Sequence, residues 1–321
     1  MFLRSFKLGG GFMVALAMLA MISCGSEMIS NEPDDEQSIV EIATDDADLT
    51  QLVGALGEAG LVTTLKGDGP FTVFAPTDAA FQELLNSNND WNSVSDIPEN
   101  VLESVLLFHV LSGEVKAADL SDTYVPTLSN GPEGNKVSLQ VDVTGGVAFN
   151  GDTEPITTDI NASNGVIHKI NKVMLPPSVV NIALNNDNFS ILVDALTDSR
   201  HTTDFVSILS GNGPFTVFAP TNSAFQALLD SNPEWNSLAD VPIIALDVIL
   251  KYHVVKASAN VVVGDLTNGQ SVEMLNNAEI TIDLSNGARI TTKSNQSVKI
   301  SLTDVQGTNG VVHVVDQVLY P

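Results

Sequence analysis

The chain has 321 residues, a formal net charge of −26 and a single cysteine. The excess of carboxylates argues against nucleic acid as a partner, because a polyanion binds through basic side chains. One cysteine excludes an intrachain disulfide, and charged residues make up only 16% of the chain, so much of the exterior is Asn, Ser and Thr. Residues 1–23 combine a basic start, Arg4 and Lys7, with an apolar run from Leu8 to Ile22. This reads as a secretory signal rather than a spanning helix, which needs roughly 20 apolar residues. Met21-Ile22-Ser23-Cys24 resembles a bacterial lipoprotein box, so Cys24 is the expected site of lipidation and the new N-terminus. Removing the segment takes the charge from −26 to −28, since Arg4 and Lys7 leave with it. Residues 24–35 are polar and without periodicity, as in a flexible tether.

Two segments then show helical periodicity, Ser38 to Thr44 and Asp48 to Ala59, the second with Leu49, Leu52, Val53 and Leu56 on one face. Phe71 to Leu85, FTVFAPTDAAFQELL, follows and predicts a strand, a turn and a helix capped by Thr77. It returns almost letter for letter at Phe215 to Leu229, an offset of 144. The earlier helices return at Ser178–Ala183 and Asn188–Leu196 with an offset of 140, which places a four-residue insertion near Asp198 to Ser207. His201 falls within it and reads as a loop histidine. Trp91 and Trp235 occupy matching places after the central helix and read as packing caps over the core edge, with sugar stacking as the functional alternative. Pro98 and Pro242 open further helices whose apolar stripes mark core.

The last third of each copy changes period. Val137, Leu139, Val141 and Val143 alternate with polar residues up to Gly145-Gly146, as in a hairpin. Ile280, Ile282 and Leu284 repeat the pattern, and Val298, Ile300 and Leu302 add a strand. Dense apolar runs, Val166 to Met174 and Val311 to Leu319, predict a closing strand in each copy. The duplication sets two domains, 36–176 and 177–321, joined by a short, stiff Leu175-Pro176-Pro177 junction.

The motif TVFAPTDAAF, a later Phe108-His109 or Tyr252-His253, and a closing Asn164-Gly165-Val166-Ile167-His168 or Asn309-Gly310-Val311-Val312-His313 occur in order, twice. This set resembles the fasciclin-type domain over roughly residues 36–321. The resemblance implies an α+β fold, each domain a β-sandwich-like sheet region packed with several helices. It also implies a role in adhesion or matrix binding, since many fasciclin-type proteins act so at the cell surface. The aromatic-His pair has been linked to adhesion in the family, which makes Tyr252, His253 and His109 the candidate adhesion residues. The residues themselves favour a core reading, because an aromatic closing an apolar helix stripe is packed inside.

No catalytic, cofactor or metal site is expected. The matched histidines His109 with His168, and His253 with His313, lack nearby acids at ligand spacing; Glu103 and Asp247 stand six residues earlier, on another helix face. Gly67-Asp68-Gly69-Pro70 lacks the Lys of a phosphate loop, and Asp45 to Asp48 lacks the form of a calcium loop. The expected protein is therefore a secreted, envelope-anchored lipoprotein that binds a protein or glycan ligand, with an anchored carbohydrate-processing or hydrolytic enzyme as the alternative. Carboxylates clustered in a cleft would favour the enzyme.

Overall fold

A computed structural model describes residues 36–321. The expected signal segment 1–23, lipidation site Cys24 and tether 24–35 lie outside the described residues. In the first half the chain forms α1 Ile39–Asp45, α2 Thr50–Glu58, α3 Val62–Leu65, β1 Phe71–Pro76, α4 Asp78–Asn86 and α5 Glu99–Phe108. It continues with β2 Val110–Ser112, β3 Thr123–Asn130, β4 Lys136–Asp142, β5 Ala148–Phe149, β6 Pro155–Ala162 and β7 Gly165–Ile170. The second half gives α6 Val179–Leu184, α7 Ser190–Leu196, α8 Phe205–Leu209, β8 Phe215–Pro220, α9 Asn222–Asp230 and α10 Ile243–Lys251. Its strands are β9 Ser271–Glu273, β10 Glu279–Asp283, β11 Arg289–Thr292, β12 Ser297–Gly307 and β13 Gly310–Val315. The α+β class is as the motifs imply.

Local chemistry sets the helix starts. Ser38 and Ser178 cap α1 and α6 in reciprocal boxes with Glu41 and Asn181. Thr77 and Thr221 cap α4 and α9, accepting from the N–H groups of Ala80 and Ala224. Among the described residues no helix is long and apolar enough to cross a membrane.

The repeated FTVFAP strand lies beside the closing strand in each half. β1 pairs parallel with β7, and β8 with β13, in identical register: Phe74 opposite His168, Phe218 opposite His313. These central pairs are buried on both faces, which explains their near-continuous apolar sequence. On one face Val73, Ala75 and Ile167 meet the helices. On the other Phe74 and Ile170 meet the β3–β4–β5 sheet through Val137, Leu139, Val141 and Phe149. The predicted hairpin is present, β4 pairing antiparallel with β5 across Gly145-Gly146.

In the second half the corresponding strands join one six-stranded sheet, ordered β8-β13-β12-β11-β10-β9. Register shifts between Ile300 and Val305 let the single long strand β12 serve both layers. The closing strands are shorter than the apolar runs predict, ending at Ile170 and Val315. The chain then turns at Asn171-Lys172 and Asp316-Gln317, and Met174 and Leu319 are buried beyond the sheet. An apolar run reports burial, and here burial outlasts the ladder.

Candidate functional site

The C-terminal ends of α5 and α10 each deliver a histidine into the interior. His109 and His253 are both 2% exposed. His109 Nδ1–H donates to the Val105 carbonyl at 2.7 Å, and Nε2 accepts from the Met174 N–H at 3.0 Å. His253 repeats this with Ile249 at 2.8 Å and Leu319 at 2.9 Å. Carbonyl on one side and N–H on the other fix the neutral Nδ1–H tautomer. Burial lowers both pKa values to about 4. Each ring therefore pins a helix end to the segment leaving the sheet.

Tyr252 is fully buried among Ile280, Ile290 and Val298, its hydroxyl donating to the Glu279 carbonyl at 2.8 Å. Phe108 fills the same place in the first half without needing a partner. The candidate adhesion residues Tyr252, His253 and His109 thus lie inside the protein. An apolar helix end packs its aromatic inward, and the His that follows satisfies backbone groups there.

The second histidine of each half does different work. His168 stacks on Phe74 and His313 on Phe218, with ring centroids 5.6 and 5.4 Å apart. Their Nε2–H groups donate to Val115 and Val261 carbonyls at 2.9 Å, and their Nδ1 atoms accept from Asp159 and Asp304 N–H groups at 3.2 Å. Those aspartates sit at positive φ in bulges of β6 and β12. Their carboxylates accept from Ala117 and Val263, the first residues of short 3₁₀ turns. All eight ring nitrogens of these four histidines face backbone groups. Among the described residues no cluster of three or more His, Cys, Asp or Glu is disposed to hold a metal.

The Asn-Gly pairs fasten the helices. Asn164 accepts from the Ile39 N–H at 2.9 Å and donates to Leu65 and Gly67 carbonyls at 2.8 and 2.9 Å. Asn309 does the same for Val179, Leu209 and Gly211 at 2.9 Å each. Gly165 and Gly310 have φ of 148° and 156°, and a Cβ on either would overlap the carbonyl oxygen of Phe71 or Phe215. Only glycine serves there.

Of the remaining residues singled out in the sequence, Trp91 and Trp235 pack half-buried against the helical cores. His201 lies in the inserted loop, but its side chain is buried: Nε2–H donates to Ala195 at 3.0 Å and the ring meets Phe205 edge-on at 5.1 Å. Its Nδ1 lies 3.8 Å from Asp247 Oδ1, too far for a hydrogen bond.

A groove open to a ligand runs where the halves meet. Its first part, about 220 Å³, is lined by Asp122, Tyr124, Gln140, Asp142, Asn186 and Thr221, among others. It adjoins a wider part of about 800 Å³ that adds Glu154 and Asp187. Asp142, Thr144 and Asn188 belong to both, and no Lys or Arg lines either. The groove is built by the β3–β4 hairpin reaching across to the second half. Gln306 N–H donates to Ser138 Oγ at 3.0 Å, Asn186 Nδ2 to the Tyr124 hydroxyl at 2.9 Å, and a Cβ on Gly131 would stand 2.7 Å from the Gly307 carbonyl.

Burial raises the Tyr124 pKa, so the phenol is neutral. Gln140 leaves its buried carbonyl oxygen without a partner. Asp122 and Asp142 hold the Val143–Thr144 turn, accepting from both N–H groups. The alternation of β4 announced an outward polar face of Ser138, Gln140 and Asp142. That this face meets the other half had no signal in the sequence.

A doubled unit of helices over a sheet, closed by an Asn-Gly-x-x-His strand in each half, defines a tandem-domain protein of one repeated type. The chain belongs to the Fasciclin domain family, whose model matches residues 47–176 and 187–321. It is similar to Protein sll1483 of Synechocystis, 36% identical over 181 residues, 54% of this chain and 93% of that protein. It is also 28% identical over 290 residues to the transforming growth factor-beta-induced protein ig-h3 of Sus scrofa, covering 85% of this chain and 40% of that one. Among solved structures, a FAS1 domain pair from the insect cell adhesion molecule Fasciclin I matches with a TM-score of 0.46 and 18% identity, over 84% of this chain and 92% of that chain.

Proposed function

We propose that this protein is a non-catalytic adhesion or binding module that takes its protein or glycan ligand in the groove between its two fasciclin domains. The observation that carries the reading is the groove itself: an open, polar channel at a domain junction, rich in carboxylates and amides and free of basic side chains. Such a lining suits ligands that present donors, either sugar hydroxyls or Lys and Arg side chains. Family membership in both halves supports adhesion over catalysis.

The groove also holds clustered carboxylates, the feature expected of the enzyme alternative. Asp122, Glu154 and Asp187 are exposed, however, and Asp122 and Asp142 support a turn. A general acid at neutral pH instead needs a sheltered carboxyl with a raised pKa. The anchor in this reading is Cys24, acylated after transport across the inner membrane, with the tether holding the domains off the envelope; several acyl chains, each CH₂ contributing about 0.8 kcal/mol, make release negligible.

The test pairs two variants. D142N/D187N keeps turn-forming side chains, so unfolding stability stays within about 0.5 kcal/mol of wild type. Binding to native envelope glycans or proteins should fall at least tenfold. Undiminished binding sinks the groove, whereas glycan turnover that vanishes in the variant establishes the enzyme. Separately, Cys24→Ala should leave the detergent phase; unchanged partitioning without fatty-acid labelling of the wild type rejects the anchor.

A further inference from the structure

Both halves repeat a cleft between the first three helices and the inner face of the central strand pair, yet only one is filled. In the first half the space enclosed near Ile39, Leu52, Leu56, Leu65, Val73 and Ile167 is about 10 Å³. In the second half the matching positions, Val179, Leu192, Leu196, Leu209, Val217 and Val312, surround about 110 Å³. Two substitutions open the floor, since Val179 and Val312 each stand one methylene short of Ile39 and Ile167. Arg200, held by Asp198, donates to the Leu238 and Ala239 carbonyls at 3.0 and 2.9 Å, which ties down the loop that delivers α8.

We infer that this cavity is a binding site for a compact, uncharged hydrocarbon group of about six carbons. Its lining is aliphatic apart from Phe189 and Thr197, and the Thr197 hydroxyl already donates to the Val193 carbonyl at 2.8 Å. Nothing in it satisfies a water molecule or a polar ligand, and an apolar cavity of about 150 Å³ stays dry and takes benzene. The volume here matches one ring or a short alkyl end. Access lies between α6 and α7, where Val180, Ala183, Val193 and Leu196 are only half-buried and Leu184 is 55% exposed. A carboxylate or ammonium has no partner inside, so charge excludes a ligand that shape would admit.

The experiment titrates the full chain with benzene, cyclohexane and benzoate while following methyl resonances. Benzene and cyclohexane should shift the methyls of Val179, Leu192, Leu209 and Val312 saturably, and benzoate should not. Leu52 and Leu65, in the filled cleft, serve as the internal control and should stay unmoved. V179I/V312I, which installs the first half's own side chains, should weaken benzene binding at least tenfold while the protein stays folded by circular dichroism. Val179→Ile alone gives an intermediate loss and guards against misfolding of the double variant. The site is rejected by any of three results: no saturable shift up to the solubility of benzene, equal shifts in the first half, or unchanged affinity in V179I/V312I.

Discussion

The two halves differ most where they face outward. β3 and β4 of the first half are eight and seven residues long, whereas their counterparts β9 and β10 have three and five. The long hairpin spans the junction: Leu128 packs on the first helical core while Tyr124 packs on the second. Its short counterpart has no such reach. The buried polar groups, by contrast, agree closely. The His109 and His253 rings find the same kinds of partner at distances that differ by about 0.1 Å, and Asn164 and Asn309 make the same three bonds. Buried polar groups leave little freedom, because each unmade bond costs about 1–3 kcal/mol. A hairpin tip or helix rim faces no such demand. Divergence between the copies therefore falls on the groove wall and the apolar cleft, and identity falls on the frame.

The sharpest way to break that comparison is at the shared glycines. Gly165→Ala and Gly310→Ala each force a Cβ into a backbone carbonyl at a φ that L-residues avoid. Each should destabilise its own domain by at least about 4 kcal/mol in denaturant unfolding. A variant as stable as wild type would mean the strand junction is not held as described.

Acid probes both histidine pins together. An unfolded histidine protonates near pH 6.5, whereas His109 and His253 resist protonation until about pH 4. Between those values the unfolded chain binds more protons, so the rings' contribution to stability is full above pH 6.5, falls as the pH drops and is gone below about 4. Each ring accounts for up to about 3 kcal/mol of that loss. H109Q and H253Q should each flatten the slope between pH 6.5 and 4; a slope unchanged in both would show that the rings are not neutral pins.

The smallest effect sharpens the difference instead. Tyr124→Ala removes the hairpin's hold on the second half and its bond with Asn186, at a cost of about 1–2 kcal/mol. Two calorimetric transitions should separate further in the variant, while fragments 36–176 and 177–321 each unfold cooperatively. A single unaltered transition would show that the halves are coupled elsewhere.

The duplication, the caps at Thr77 and Thr221, the helix stripes and the β4–β5 hairpin were all legible in the sequence. Each depends on residues close together in the chain, where spacing and side-chain type suffice. The glycines of the closing motif were legible as letters, but their reason was not: Gly165 is needed because Phe71, far away in sequence, runs alongside it. His109 and Met174 meet across 65 residues, and Gln306 and Ser138 across 168. The sequence also carried the two valines that hollow the second cleft, yet a valine reads as core whether or not its neighbours fill the space beside it. Local pattern determined which elements form and which faces are apolar. The groove, the histidine pins and the unfilled cleft were decided only by the tertiary structure, because each is made by chain segments that approach one another only after the sheets close.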